Sequence, residues 1–467
     1  MLFNSYEFIF LFLPISFIGY FLLNKYRLTK VAIGWLAVCS LFFYSWWNIA
    51  NLPLMMGSIL FNYVVGTFLT KRHGTSSNKL LLTFGVASNL ALLGYYKYAD
   101  FFLTNLNSAL STQFPLLQLV LPLGISFFTF TQIAYLVDAY RGEVKEYNLI
   151  NYILFVTFFP HLIAGPILHH KEMMPQFAST RKKVINWQNI AHGLLIFAIG
   201  LSKKVLIADT LAGWASPGFQ AASLTFIEAW STALSYTFQL YFDFSGYSDM
   251  AIGIALLFNI RLPQNFDSPY KADSIIDFWR RWHMTLSRFL RDYLYIALGG
   301  NRKGKFRRHV NLLATMVLGG LWHGAAWTFV VWGLMHGLAL VVNHFWRSLG
   351  FKMHWLPARL LTFLFVVVAW VFFRAESFQQ AMVVLQGMVN IQNIGFSMTA
   401  ISPALPAGIK EVAILAITYL FVSTWKNSLE WEKEFKPNWK WGIIVPLLLI
   451  AGIFGLNRVS EFLYFQF

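Results

Sequence analysis

Cysteine is almost absent. Cys39 stands alone among 467 residues, so no disulfide framework and no thiolate metal cluster can form. It sits inside an apolar run, where a thiol packs rather than reacts. Charge is scarce as well: 12% of residues are charged and 57% are hydrophobic, whereas soluble domains carry about 25% charged residues. The composition therefore excludes a soluble globular protein and describes a polytopic membrane protein. Several catalytic templates are missing too. There is no phosphate loop, no G-x-S-x-G elbow, no H-E-x-x-H and no glycine-rich dinucleotide fingerprint. No metal site is expected, nor any permanently bound cofactor.

The N-terminus lacks the marks of a cleavable signal. "MLFNSYEFIFLFLPISFIGYFLLNKYR" has no basic start and no small-residue cleavage site, and Lys25, Arg27 and Lys30 follow the apolar run. It reads as a first span with its N-terminus outside and its basic loop inside. Acidic residues are outnumbered by basic ones, 20 against 36. The excess sits in "NKYRLTK", "TKRHGTSSNK", "STRKK" and "NRKGKFRRH". Loops of this kind follow the positive-inside rule and meet anionic headgroups, so the charge is no sign of nucleic-acid binding.

What is abundant is apolar sequence. Runs near the ~20 residues that a span needs recur at 6–23, 31–48, 53–70, 80–96, 118–139, 148–166, 188–207, 225–243, 309–346, 358–374, 410–425 and 441–457. The expected fold is all-α, with about 11 crossing helices plus re-entrant or interfacial ones, in a single domain over residues 1–467. Proline and glycine interrupt "FPHLIAGPI" and "VLPLGISF". Broken helices survive at membrane depth only where the backbone is buried in protein or lines a cavity. No repeat relates the two halves, which weakens a transporter reading.

Residues 260–309 do not read as a span. Asp277, Arg281, Arg288 and Asp292 recur at helical spacing, with Phe278, Trp282, Phe289 and Tyr293 beside them. This predicts an amphipathic interfacial or re-entrant helix on the cytoplasmic side. Its arginines can serve lipid phosphate or a phosphate-bearing substrate, and the pattern favours neither.

Eleven histidines are present. His73, His169, His170, His344 and His354 fall near loops or span ends. His161 and His192 lie near span edges, His309 closes the basic loop, and His283 lies on the amphipathic segment. His323 differs. It follows Arg308 by fifteen residues, which a helix converts to roughly 22 Å, deep inside a hydrocarbon core of ~30 Å. Gly319, Gly320 and Gly324 surround it. A histidine at that depth faces a cavity or a partner. It suits general-base activation of a hydroxyl or transient acyl transfer, and equally a core hydrogen bond to a neighbouring helix. His336 lies thirteen residues further on. On an unbroken helix the two rings would point to nearly opposite faces, about 220° apart. They form a pair only if the chain breaks between them.

The run "TFQLYFDFSGYSDMAIG" buries Gln239, Asp243, Ser245 and Asp249. Such groups are costly in a span unless hydrogen-bonded, and a structural polar network is the expected use. Asp138, beside Arg141, reads as half of an interfacial ion pair.

"LWHGAAWTFVVWGLMHG", "YFDFSGYSDMAIG", "NFDSPYKADSIIDFWRRWHMTLSRFLRDYLYIALGGNRKG", "FFPHLIAGPI" and the closing "EFLYFQF" together resemble the membrane-bound O-acyltransferase family. More narrowly, they are similar to its bacterial alginate and peptidoglycan O-acetylation branch, and the likeness runs over essentially the whole chain. The resemblance implies about eleven spans with re-entrant segments around a tunnel. It implies acyl transfer from a thioester to a hydroxyl, with acetyl-CoA as donor. His323 matches the histidine of the family's W-H-G motif. His336 matches a second histidine position of less defined role. The D-alanyl transferase branch carries a further histidine in a later helix, where this chain reads "LLTFLFVVVAW". That departure argues against the D-alanyl branch.

The expectation is an inner-membrane O-acetyltransferase with His323 as base or acetyl relay. Arg280, Arg281, Arg288, Arg302 and Lys303 are the candidates for the phosphates of acetyl-CoA. The acetyl would reach a polysaccharide hydroxyl directly or through a periplasmic acetyltransferase partner, with membrane lipids around the chain. A transporter of an acylated or small anionic substrate, and a non-catalytic membrane subunit, stay open on the residues alone.

Overall fold

The computed structural model describes residues 1–71, 76–144, 148–394, 408–456 and 463. His73 and all of the closing segment 461–467 except Leu463 lie outside the described residues. The regular elements among the described residues are helical, as the composition requires. Among the described residues, five helices are long and apolar enough to cross a membrane, and a sixth crossing is available if the bent pair Ile409–Thr424 and Ser428–Glu434 forms one span. Several apolar runs instead fold as shorter pieces. The run at 118–139 becomes helical only at Ile125, after Pro122 and Gly124, and the run at 148–166 keeps a helix only over Leu149–Thr157. Proline and glycine end these helices because they remove a ladder donor or favour other backbone angles.

The chain divides into two compact units. One comprises Met1–Ala198, Tyr247–Pro263 and Lys436–Val445; the other comprises Ile199–Gly246, Gln264–Phe435 and Pro446–Phe467.

The first unit is held by aromatic packing and buried amides. Phe8, Phe12 and Phe43 close around Phe159, with ring centroids 6.2, 5.1 and 5.7 Å away. Asn62 and Asn89 exchange side-chain hydrogen bonds at 3.0 and 2.7 Å, and Gln132 donates to Ser58 at 2.9 Å. In lipid such bonds tie helices that no hydrophobic force drives together. Residues 158–169 are irregular yet buried throughout, the arrangement that non-helical backbone needs at membrane depth. Asp138 is 1% exposed, and its carboxylate lies 3.8 Å from His169 Nδ1. It is thus buried inside the unit rather than placed at an interface. Asp249 is also buried here.

Six helices matter for the site in the second unit: α1 (Phe226–Leu257, whose residues through Gly246 belong to this unit), α2 (Ile275–Arg281), α3 (Met284–Phe289), α4 (Gly304–His323), α5 (Trp327–Ser348) and α6 (Trp355–Arg374). The amphipathic segment is not one continuous helix. Ser274 caps α2 by accepting from Asp277 N at 3.2 Å, and α2 ends at Arg281. His283 then takes a left-handed backbone, φ 43°, before α3 begins. The expected stripe is therefore cut in two: Asp277 and Arg281 share α2, while Arg288 lies on α3 and Asp292 on the π-helical turn that follows.

Candidate active site

The stretch holding His323 and His336 folds as a helical hairpin. α4 ends at His323, Gly324 and Ala326 are extended, and α5 returns antiparallel. Glycine permits the close approach. A Cβ on Gly320 would collide with Phe329 O, and one on Gly333 with Met316 O. One on Gly337 would lie 3.1 Å from the Leu313 side chain. The straight helix that would hold the two histidines on opposite faces is therefore absent. The break at Gly324 folds α5 back, and both rings come to one aromatic indole. His323 lies 5.2 Å from Trp332, and His336 lies 4.8 Å from the same ring.

His323 is 5% exposed at the C-terminus of α4. Trp322, Trp332 and Phe373 stack around it at 4.8, 5.2 and 5.1 Å, edge to face. A third histidine joins them. His283 is fully buried, and its ring lies 6.5 Å from that of His323. It packs edge-on against Phe244 of α1 at 4.8 Å. Its Nδ1 is 3.1 Å from Asn265 Oδ1, and the Met284 N–H donates to Asn265 O at 2.9 Å. The loop before α2 therefore anchors the turn that carries His283. His283 was passed over in the sequence because a continuous helix would have left it on an interfacial face. Only its non-glycine, left-handed backbone delivers it to His323.

His336 is fully buried on α5. Trp279 Nε1 donates to its Nδ1 at 3.2 Å, and Phe278, Phe365 and Trp370 surround the ring at 6.0, 5.4 and 6.3 Å. The three histidines thus occupy one aromatic centre assembled from α2, α4, α5 and α6 and the turn before α3. It offers proton acceptors and donors away from bulk water, where electrostatic interactions are strongest.

The basic residues proposed for phosphate differ in their commitments. Arg281 Nε pairs with Asp277 at 2.9 Å, and its Nη1 lies 3.9 Å from Asp267. Arg280, Arg302 and Lys303 are exposed, and Arg288 is half-buried. Gln239, Asp243 and Ser245 are buried along α1, but the partner given to Asp243 is one the sequence did not suggest. Lys204 Nζ sits 2.6 Å from Asp243 and 2.8 Å from Asp209, with all three side chains at most 4% exposed. The Leu463 N–H donates to Asp243 Oδ2 at 3.0 Å. Lys204 lies near the end of the apolar run 188–207. A π-helical segment, Lys203–Ala208, carries it into the interior. Among the described residues no cluster of three or more histidine, cysteine, aspartate or glutamate side chains could hold a metal ion.

A multi-pass helical membrane protein with a buried histidine centre is the class these observations define. Comparison with known proteins makes the class specific. The profile of the membrane-bound O-acyltransferase family matches residues 63–394. A peptidoglycan O-acetyltransferase of Helicobacter pylori is 46% identical, covering 100% of this chain and 98% of the relative. A probable alginate O-acetylase of Pseudomonas putida, AlgI, is 40% identical over the full length of both chains. A teichoic acid D-alanyltransferase of Streptococcus thermophilus is 30% identical over 48% of this chain and 57% of its own. The chain belongs to the membrane-bound O-acyltransferase family, and it is an acyltransferase of the O-acetyltransferase kind.

Proposed function

We propose that this protein moves acetyl groups from cytoplasmic acetyl-CoA across the inner membrane to hydroxyls of a periplasmic polysaccharide. The acceptor is of the kind named for its relatives, peptidoglycan or alginate. A periplasmic acetyltransferase partner completes the transfer where the chain does not act on the polymer itself. The N-terminus faces the periplasm, and the basic segment that includes Arg280, Arg288, Arg302 and Lys303 meets the donor's phosphates on the cytoplasmic side.

The observation that carries this reading is the burial of His323, 5% exposed, with His283 beside it at the end of a helix that begins in the basic loop. Two balanced routes use such a ring. As a base, His323 takes the hydroxyl proton while the oxygen attacks the thioester carbon; the C–S bond breaks, and the thiolate leaves and recovers a proton. As a carrier, the ring nitrogen attacks the carbon first and the thiolate departs. The thiolate takes the N–H proton of the acylated ring; the acyl-imidazole then gives its acetyl to the hydroxyl, and the hydroxyl proton returns to the freed ring nitrogen.

Purified protein, wild type and His323→Ala, incubated with acetyl-labelled acetyl-CoA tests the role. CoA release should fall at least ~10²-fold in the variant, the usual worth of a positioned acid–base group. Rapid acid quenching that traps label on the wild-type protein selects the carrier route. Equal CoA release by both proteins removes His323 from catalysis. Uptake or efflux of a substrate without acyl turnover would instead support a transporter.

A further inference from the structure

His283 and His336 each have one ring nitrogen fixed by a neighbour whose chemistry is unambiguous. Asn265 Oδ1 lies 3.1 Å from His283 Nδ1, and it also accepts from the Thr285 N–H at 3.3 Å and the Thr285 hydroxyl at 2.9 Å. A backbone N–H only donates. The amide therefore turns its oxygen, not its NH2, to this cluster, and His283 Nδ1 must carry the hydrogen. The lone pair is left on Nε2. His336 is held the opposite way. Trp279 Nε1 donates to His336 Nδ1 at 3.2 Å, and an indole N–H cannot accept. In the neutral ring the hydrogen then sits on Nε2, and among the described residues that atom meets no hydrogen-bond partner.

We propose that Asn265 and Trp279 are positioning residues that lock His283 and His336 into opposite tautomers. One histidine offers a proton acceptor and the other a hydrogen-bond donor, in the same aromatic centre as His323. This rests on the acyl-transfer reading above and assigns two further groups of that site. Attack of a hydroxyl on a thioester needs an acceptor for the hydroxyl proton and a donor for the carbonyl oxygen as charge develops there. Two histidines in one tautomer would supply the same atom twice. Opposite tautomers supply both needs from neutral rings, and neutral rings are cheap to bury where charged ones are not. The geometry supports the division of labour. His283 faces His323 directly at 6.5 Å, and His336 reaches it across Trp332. The left-handed backbone of His283, φ 43°, marks a residue held against its own preference. Asn265 holds its ring through the side-chain oxygen, and holds the next residue through its carbonyl, which accepts from the Met284 N–H.

Nitrogen NMR of the full-length protein in lipid nanodiscs, with 15N-histidine, reads the tautomers without any turnover. His283→Gln and His336→Gln assign the signals. The wild type should show His283 protonated at Nδ1 and His336 at Nε2. Asn265→Leu should move His283 to the Nε2–H form and lower kcat by roughly 10²-fold, with KM for the acyl donor changed less than about twofold, since donor binding is untouched. Asn265→Asp still accepts from Nδ1–H and should restore both the spectrum and most of kcat. Trp279→Phe keeps an aromatic ring but removes the donor, and His336 should then populate both forms. Finding the two histidines in one tautomer in the wild type overturns the proposal, as does an Asn265→Leu spectrum identical to it. Should Asn265→Leu not fold, the wild-type spectrum and Trp279→Phe still decide. If acetyl-CoA is not the donor but the tautomers are opposite, only the acyl-transfer reading fails.

Discussion

A charged residue in a buried centre is judged by what its removal leaves behind. Lys204 lies between two buried carboxylates, Asp209 and Asp243. One cation against two anions is a poor reason for high stability, because desolvation offsets much of the Coulomb gain. Removing the cation alone is another matter, since two carboxylates then face each other without it. Lys204→Met should lower stability by about 3–5 kcal/mol. Thermal unfolding in detergent measures this, and an unchanged transition would show that the triad does not hold the fold. Adding Asp243→Asn to Lys204→Met should recover part of the loss, because an amide still accepts the Leu463 N–H without carrying charge. The centre around His323 differs in kind: its neighbours are rings, and the contacts that fix it are neutral, such as the hydrogen bond from Trp279 to His336.

At the scale of the element, the α4–α5 hairpin rests on the absence of side chains. Gly320 and Gly333 let the two backbones touch, and a Cβ on either would strike a carbonyl oxygen of the other helix. Backbone atoms cannot rotate away as a side chain can. Gly333→Ala should therefore push the helices apart, displace Trp332 and His336, and cost about 1–3 kcal/mol as overpacking. Acetyl transfer should fall with it. Gly57→Ala is the control, since a Cβ there meets nothing within 4 Å. Equal effects of the two substitutions would refute the close-packing account. This hairpin also shows where reading the sequence fails. That one helix carries the chain from the basic loop past Arg308 to His323 followed from counting residues. The relation of His323 to His336 did not, because Gly-Ala-Ala carries no strong helix stop and the break comes from packing against Phe329. His283 was illegible for a similar reason. A left-handed residue that is not glycine leaves no local mark, and Asn265, which holds it, is eighteen residues away.

At the scale of the whole molecule, composition alone sufficed for class: few charges, many apolar runs, one cysteine. It did not suffice for the number of crossings, since runs of similar hydropathy end as full spans or as short pieces according to where proline and glycine fall. Orientation is the remaining global property, and charge predicts it. Lys25 ends the first helical stretch, Arg27 lies in the turn after it and Lys30 in the first turn of the next helix, and positive connections stay cytoplasmic. The single cysteine makes this directly measurable. Cys39 is buried, so a Cys39→Ala background should tolerate the change and leave no thiol. Tyr26 is 67% exposed and Tyr6 43% exposed, at opposite ends of the apolar stretch Phe8–Lys25, one of the five long enough to cross. In that background, Tyr26→Cys should react with a membrane-impermeant maleimide only after the cells are opened, and Tyr6→Cys should react in intact spheroplasts. The reverse pattern would place the basic loops outside. The basic segment 280–308 needs its own reporter: Phe306 is 82% exposed, and Phe306→Cys in the same background should be labelled only in opened cells if that segment meets a cytoplasmic acyl donor, whereas labelling in intact spheroplasts would overturn the proposed direction of transfer.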